Sequence, residues 1–322
     1  MRFTIFAIVI AAVLFLGYFG INYAVQKLTY EPVTIEDVNI VPSTLYPTGY
    51  MYLADQTIKS YDIKNFAYQL QNSNFGELKT MNVSMLVVDP ENGSGQLQFT
   101  KSQIKELHQN KKYVIAYIDI GEAENWRAYY KDMPKDIIGI ENPDWKNCFY
   151  VAFWQPYWKQ LTYDRVNTYL DQGYDGVYLD MIDVYEYWQK QGITSSKQDA
   201  INFVVEISNR VKARNSSLLV IPQNAVELLK EQDYINYIDG VGAEETFYSN
   251  DKKASWSSND LEFLDYAISK GKFVLSIDYS TKLNNRCNFV NKALAHKFVP
   301  FVGPKDLDAF VHFNCDSIKY SQ

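Results

Sequence analysis

Carboxylates recur in this chain where apolar runs stop. In "GYDGVYLDMIDVYEYW" (Gly173 to Trp188), Asp180 follows Val177, Tyr178 and Leu179, and Asp183 comes three residues later among Tyr185, Tyr187 and Trp188. An acid there sits at the C-terminal mouth of a buried strand, with aromatic surface beside it. Carbohydrate hydrolysis uses that combination: carboxylates to protonate and attack, rings to hold a sugar face. Similar endings are Gln69 and Gln71, Asp89, Asp119 with Glu122 and Glu124, Gln223 with Asn224, Glu244 with Glu245, and Asp278 with Tyr279. Any one of these acids alone reads equally as a helix cap or a solvated side chain. Capping does not explain why most strand ends are polar, and their convergence makes an anionic pocket. Two carboxylates in one pocket cannot both ionise cheaply, so one becomes a proton donor. A separation of about 5–5.5 Å suits a retaining glycosidase, and about 6.5–9.5 Å an inverting one.

The elements that must position these groups are legible as a rhythm starting near Asn65. Short apolar runs recur at 66–71, 83–89, 113–119, 149–154, 176–180, 218–224, 237–245, 273–278 and 298–303. Amphipathic stretches separate most of them, at 100–110, 157–172, 197–214 and 259–270. Continuous apolar strands alternating with helical patterns predict a parallel sheet covered by helices. Eight or nine strands in this length predict an α/β chain folded as a (β/α)8 TIM barrel, with catalytic groups at the strand C-termini. A doubly wound open sheet is the second choice, because no Gly-rich phosphate turn follows the first strand.

Other chemistries are poorly served. The three His, at 108, 296 and 312, lie near no G-x-S-x-G motif, which argues against a serine hydrolase. No C-x-x-C, H-E-x-x-H or EF-hand pattern marks a metal site, so neither metal nor cofactor is expected. The net charge of −7 and the lack of a long basic run argue against nucleic acid. Aromatics make up 16% of the chain, with 26 Tyr, which fits either a sugar cleft or a Tyr-rich core.

Phe3 to Gln26 carries no charged residue and is long enough to cross a bilayer. It predicts a signal anchor over residues 1–26, with a cleaved signal peptide as the alternative and a buried helix as a remote third. Residues 27–62 follow as an aperiodic juxtamembrane stalk, and 63–322 as the barrel. The anchor reading makes the membrane a partner through this helix and puts the barrel outside the cell; a cleaved signal peptide makes the protein secreted. Sequons at Asn82, Asn92 and Asn215 fit export. Cys287 and Cys315 either pair in an oxidising compartment, leaving Cys148 free, or all three remain thiols.

The blocks "YIDIGEAENWR" (117–127), "GYDGVYLDMIDVY" (173–185), "IPQNA" (221–225) and "GAEETF" (242–247) resemble the signature blocks of family-114 glycoside hydrolases, in order and spacing. The resemblance covers the chain from about Asn65 to its end. It implies an extracellular barrel with endo-α-1,4-polygalactosaminidase-like activity on galactosamine-containing exopolysaccharide. It further implies Asp180 and Glu244 as the catalytic acids. Tyr117, Gly121, Glu124 and Arg127 match the third-strand block, where Glu124 and Arg127 bind substrate or hold the loop. Asp183, Tyr185 and Asn224 match positions that follow the next strands. The chain departs from the pattern at Met181 and Glu245, where many members have Asn and Gln, and at Asp119 and Glu122, where they have small or uncharged residues. These changes make the pocket more acidic.

The reading that results is an exported glycosidase acting on an amino-sugar polysaccharide, with Asp180 as nucleophile and Glu244 as acid/base. Tyr117, Asp119, Glu122, Glu124, Arg127, Asp183, Tyr185, Asn224, Glu245 and Asp278 are the expected substrate-binding set. Tyr117, Tyr185, Trp188, Phe247 and Tyr248 are the candidate stacking rings. The rivals are a non-catalytic polysaccharide-binding barrel and a glycosidase for neutral α-galactosides.

Overall fold

A computed structural model describes residues 63–254 and 257–315. The expected anchor (1–26) and stalk (27–62) lie outside these residues. Among the described residues no helix is long and apolar enough to cross a membrane.

Thirteen strands occur among the described residues. They are β1 (Phe66–Gln69), β2 (Met85–Val88), β3 (Tyr113–Asp119), β4 (Glu122–Glu124), β5 (Ile138–Glu141), β6 (Cys148–Val151), β7 (Gly176–Asp180), β8 (Leu219–Pro222), β9 (Gly240–Glu244), β10 (Tyr248–Ser249), β11 (Lys252–Lys253), β12 (Phe273–Asp278) and β13 (Val299–Val302). Two all-parallel sheets, β1-β2-β3-β7-β8 and β13-β12-β9, hold eight of them. A parallel bridge between Gln223 and Gly242 joins β8 to β9, and the Asn224 N–H donates to the Gly242 carbonyl at 2.8 Å. At the other seam the Phe66 and Phe301 rings lie 5.4 Å apart, and the Leu70 and Gln71 amides both donate to the Leu307 carbonyl. The strand order β1-β2-β3-β7-β8-β9-β12-β13 is that of a (β/α)8 barrel.

Helices return the chain between these strands: Phe75–Thr80, Lys101–Gln109, Pro156–Gln172, Ser196–Arg214, Ser257–Ser269 and Leu283–Ala295. Their ends are written locally. Thr100 and Gln103 form a capping box at the start of the second. Pro156 opens the third, and Gly173, with φ 103°, closes it. The run at 149–154, expected as a barrel strand, belongs instead to a side sheet of order β4-β6-β5, paired antiparallel and inserted between β3 and its helix.

Alternation along the strands sorts the interior. Tyr117 and Tyr178 are cross-strand partners, as are Tyr68 and Val87, Leu275 and Gly242, and Ile277 and Phe301. Residues of this parity fill the barrel as interlocking large and small side chains. Gly242 makes room for Tyr178, and Gly240 for Phe273. Many of the tyrosines are therefore core: Tyr68, Tyr169, Tyr174, Tyr178 and Tyr234 are fully buried.

A Cβ at Gly242 would stand 1.7 Å from the Tyr178 hydroxyl and 2.5 Å from its Cζ. Gly242→Ala should cost about 1–3 kcal/mol by urea denaturation. The cost should shrink in a Tyr178→Phe background. Equal costs in both backgrounds would show that this contact is not the constraint.

Candidate active site

Three neighbouring strands end in the residues on which the site depends. β7 ends at Asp180, β8 leads into Gln223 and Asn224, and β9 ends at Glu244. Immediately after, the backbone turns through the left-handed region at Met181 (φ 58°), Asn224 (φ 55°), Ala225 (φ 46°) and Glu245 (φ 49°). Each such non-glycine residue costs about 1–3 kcal/mol, an expense that recurs at functional sites. The reversal at Met181 also needs Gly121, where a Cβ would lie 2.0 Å from the Met181 carbonyl oxygen.

Asp180 and Glu244 are both half-buried at the ends of their strands, and tyrosines hold both. The Tyr117 hydroxyl donates to Asp180 Oδ2 at 2.6 Å, and the Met181 amide donates to Oδ1 at 2.7 Å. Glu244 Oε2 accepts from Gln223 Nε2 at 2.6 Å and Asn224 Nδ2 at 3.2 Å, while Oε1 accepts from the Tyr279 hydroxyl. The Tyr68 hydroxyl donates to Gln223 Oε1 at 3.0 Å, which turns the Gln223 amide nitrogen toward Glu244. A single strand, β8, separates the strands carrying the two acids, so their Cα atoms stand roughly 10 Å apart.

The two acids differ in proton affinity. Burial pushes Glu244 up to about 7, and the Asp180 charge adds to it, against the hydrogen bonds from Tyr279 and Asn224. Burial also raises Asp180, but the Tyr117 and Met181 hydrogen bonds oppose that rise. The Asp180 charge therefore favours the protonated form of Glu244. Glu245, the next residue in the chain, adds less to this rise than Asp180.

Beside Glu244 opens a cleft of about 310 Å³, lined among others by Asp183, Glu186, Asn224, Glu227, Glu245 and Asp260. No Lys or Arg is among its lining residues. Asp183 precedes the helix Val184–Lys190 without capping it, and burial with the charges of Asp180 and Glu186 raises it to about 7.

The remaining predicted residues divide by location. Asp119 is the cross-strand partner of Asp180, but its Oδ1 accepts the Gly121 and Glu122 amides, so it pins the turn after β3. Burial and the neighbouring Glu122 raise Asp119 well above the usual carboxylate range. Glu122 accepts from the Asn142 amide and is raised by burial to about 8. Glu124 and Arg127 hold the loop. The Arg127 side chain is 2% exposed and donates to both Glu124 oxygens (2.7 and 3.0 Å), to Asp89 (2.6 and 3.2 Å) and to Glu91 (3.4 Å). Its donors are spent on protein, so the substrate-contact role is corrected to a structural one for Arg127. Tyr185 is buried, and its hydroxyl donates to Glu227. Asp278 is also corrected. Ile277 pairs with Glu244 and the Tyr279 hydroxyl reaches it, so Asp278 has the opposite parity, is fully buried and accepts the Ser280 amide.

Of the candidate stacking rings, Tyr117 and Phe247 are core. The Trp188 indole donates to the Val151 carbonyl at 2.9 Å and meets Trp154 edge to face. Tyr248 is half-buried, with the Lys292 amine 4.9 Å from its ring centre. Tyr279 reaches Glu244 directly and Tyr68 reaches it through Gln223, contacts that no local spacing announces. Among the described residues no group of three or more His, Cys, Asp or Glu is arranged to hold a metal ion. Cys287 and Cys315 form a disulfide, and Cys148 is free and buried.

Paired acids at the mouth of a parallel barrel, one of them raised toward neutrality, are the arrangement a glycoside hydrolase uses. The chain belongs to glycoside-hydrolase family GH114, whose model matches residues 53–319, reaching ten residues before the first described one. It is similar to a Methanocaldococcus jannaschii protein (36% identical over 262 residues, 75% of each chain) and a Thermotoga maritima protein (30% over 263 residues, 76% of this chain and 81% of that one). Its fold is similar to that of Aspergillus fumigatus Ega3, solved in complex with galactosamine (18% identity, TM-score 0.65, 85% of this chain and all of that one). It is also similar to the glycoside hydrolase domain of PelA from Pseudomonas aeruginosa (16% identity, TM-score 0.64, 77% and 97% covered).

Raised carboxylates link stability to pH. Asp89 and Asp278 rise to about 6, Asp183 and Glu244 to about 7, and Glu122 to about 8. Between pH of about 4 and 8 the folded chain binds more protons than the unfolded one, so stability falls as pH rises through that window. Thermal melts should give a higher Tm at pH 5.5 than at pH 8. A Tm that climbs with pH over this range would contradict the burial of these groups.

Proposed function

We propose that this domain is an exported endo-glycosidase that cleaves a galactosamine-containing polysaccharide with retention of configuration, through Asp180 and Glu244. The observation that carries this reading is the placement of Asp180 and Glu244 at the mouths of β7 and β9, each held by a tyrosine, where burial and the Asp180 charge raise Glu244 to about 7. In the first step the Asp180 carboxylate attacks the anomeric carbon, and the bond to the leaving oxygen breaks as Glu244 gives that oxygen its proton. In the second, Glu244 takes a proton from water, whose oxygen displaces Asp180 from the sugar.

An amino-sugar substrate is supported by the cleft's charge. Asp183, Glu186, Glu227, Glu245 and Asp260 line it without a cationic partner among the lining residues, and a protonated amine would supply one. The similarity to a fold solved with galactosamine points the same way. Export is supported by the Cys287–Cys315 disulfide and by the uncharged run from Phe3 to Gln26, read as a signal anchor or signal peptide. On this reading the polysaccharide is the partner that the cleft binds, and a retained anchor would hold the domain at the membrane.

The ectodomain should release shorter oligosaccharides from partly deacetylated α-1,4-galactosaminan, with the α-anomer forming first by NMR. Asp180→Asn and Glu244→Gln should each reduce turnover by several orders of magnitude. Wild-type activity in either variant removes that residue from the mechanism, and first release of the β-anomer makes the enzyme inverting. A chain that binds this glycan without ever cutting it is a binding module.

The rate should fall above about pH 7 as Glu244 loses its proton. The Tyr279 hydrogen bond favours the ionised form of Glu244. Tyr279→Phe should therefore move this alkaline limb to higher pH, and an unmoved limb would exclude Glu244 as the acid.

A further inference from the structure

A pair of aromatic rings, one on β6 and one on the helix that follows β7, belongs to none of the machinery above. The helix Val184–Lys190 begins at Asp183, and Asp183, Glu186 and Tyr187 fall at i, i+3 and i+4, which is one face of a helix. Asp183 and Glu186 line the cleft, so Tyr187 shares the face that they present to it. The Tyr150 ring centre lies 4.7 Å from that of Tyr187. Tyr150 sits on β6 directly opposite Glu122 on β4, and such cross-strand partners project to the same side of a sheet. That side faces the site, because Glu122 feels the charges of Asp180 and Asp183. The phenol of Tyr150 feels Glu122 and Asp183 as well, and with burial they push it up to about 12.

Both rings are half-buried, and Tyr187 also rests edge to face on Trp188, 5.0 Å between ring centres. Trp188 packs on Trp154 and bonds to Val151, and Tyr130 packs on Phe149. The side sheet that carries Tyr150 is an insertion into the barrel. Tyr150 has its ring partner on the helix Val184–Lys190, whose Glu186 lines the acidic cleft.

We infer that Tyr150 and Tyr187 form a stacking platform for a second pyranose ring of the same glycan, the one next along the chain from the sugar in the acidic cleft. The occupant follows from continuity: the helix face that carries Tyr187 runs on into the cleft through Asp183 and Glu186. The two ring planes are inclined by 48°, so either ring can lie against the apolar face of a sugar, while the two carboxylates beside them accept hydrogen bonds from its hydroxyl or ammonium groups. The inference rests on the glycosidase reading and deepens it, since a second subsite makes the enzyme sense chain length.

The test is a chain-length series of α-1,4-linked galactosamine oligosaccharides on the full ectodomain, comparing wild type, Tyr150→Ala, Tyr187→Ala and Tyr187→Phe. In the wild type kcat/KM should step up once the oligomer reaches the second subsite. Each Ala variant should lose about tenfold on the long oligomers and little on the shortest one cleaved. Tyr187→Phe should keep the step, because it retains the ring. An unchanged step in both Ala variants overturns the inference and leaves the glycosidase standing. An equal loss at every length also overturns it, by making the rings structural. A wild type that cleaves no oligomer of the series fails the underlying reading, and the inference with it.

Discussion

Everything in this site depends on keeping two carboxyl groups out of water without letting both give up their protons. Burial penalises the charged form of each, and charge repulsion penalises ionising the second. The chain resolves the conflict with hydroxyl and amide donors. Tyr117 and the Met181 amide favour ionised Asp180, and Glu244, though met by Tyr279, Gln223 and Asn224, is left with the proton. The donors come from four different strands or strand ends, so the barrel must close before the pair can be tuned. That requirement couples the fold to the chemistry more tightly than the bare positions of two acids suggest.

Tyrosine is the residue that serves both ends. Inside the barrel Tyr178 fills the space over Gly242 and Tyr68 packs on Tyr178, yet Tyr68 also orients the amide that faces Glu244. A Phe in such a place would pack as well and leave Gln223 free to flip. A second buried network lies behind the third strand, where Arg127 ties Glu124, Asp89 and Glu91. Such a cluster adds little net stability but fixes geometry, because breaking any member strands a buried charge. Here it holds the loop from which the side sheet departs.

The strand rhythm and the order of the polar mouths were legible in the sequence, because buried parallel strands are continuous apolar runs and their ends are polar; the choice of Asp180 and Glu244 among those ends came from the family resemblance. The same continuity hid the direction of each side chain. Asp278 looks like the other terminal acids, and only the register of β12 against β9 turns it away from the cleft. The 149–154 run is apolar and β-branched or aromatic, which a side-sheet strand satisfies as readily as a barrel strand. Tyr279 was visible as a strand-end residue, but its bond to Glu244 spans 35 positions and has no local signature. Arg127 was found by resemblance, and its burial decided between its two possible duties.

The segment after β13 has a consequence for how the ring stays shut. The Leu307 carbonyl receives two amides from the end of β1, Gln69 donates to the Asp308 carbonyl, and Cys315 is bonded to Cys287 on the last helix. The first and last staves of the barrel, which share no ladder of their own among the described residues, are therefore cinched by a covalently anchored strap. Opening that seam in an oxidising medium requires both the hoop's polar clasp and its sulfur rivet to fail.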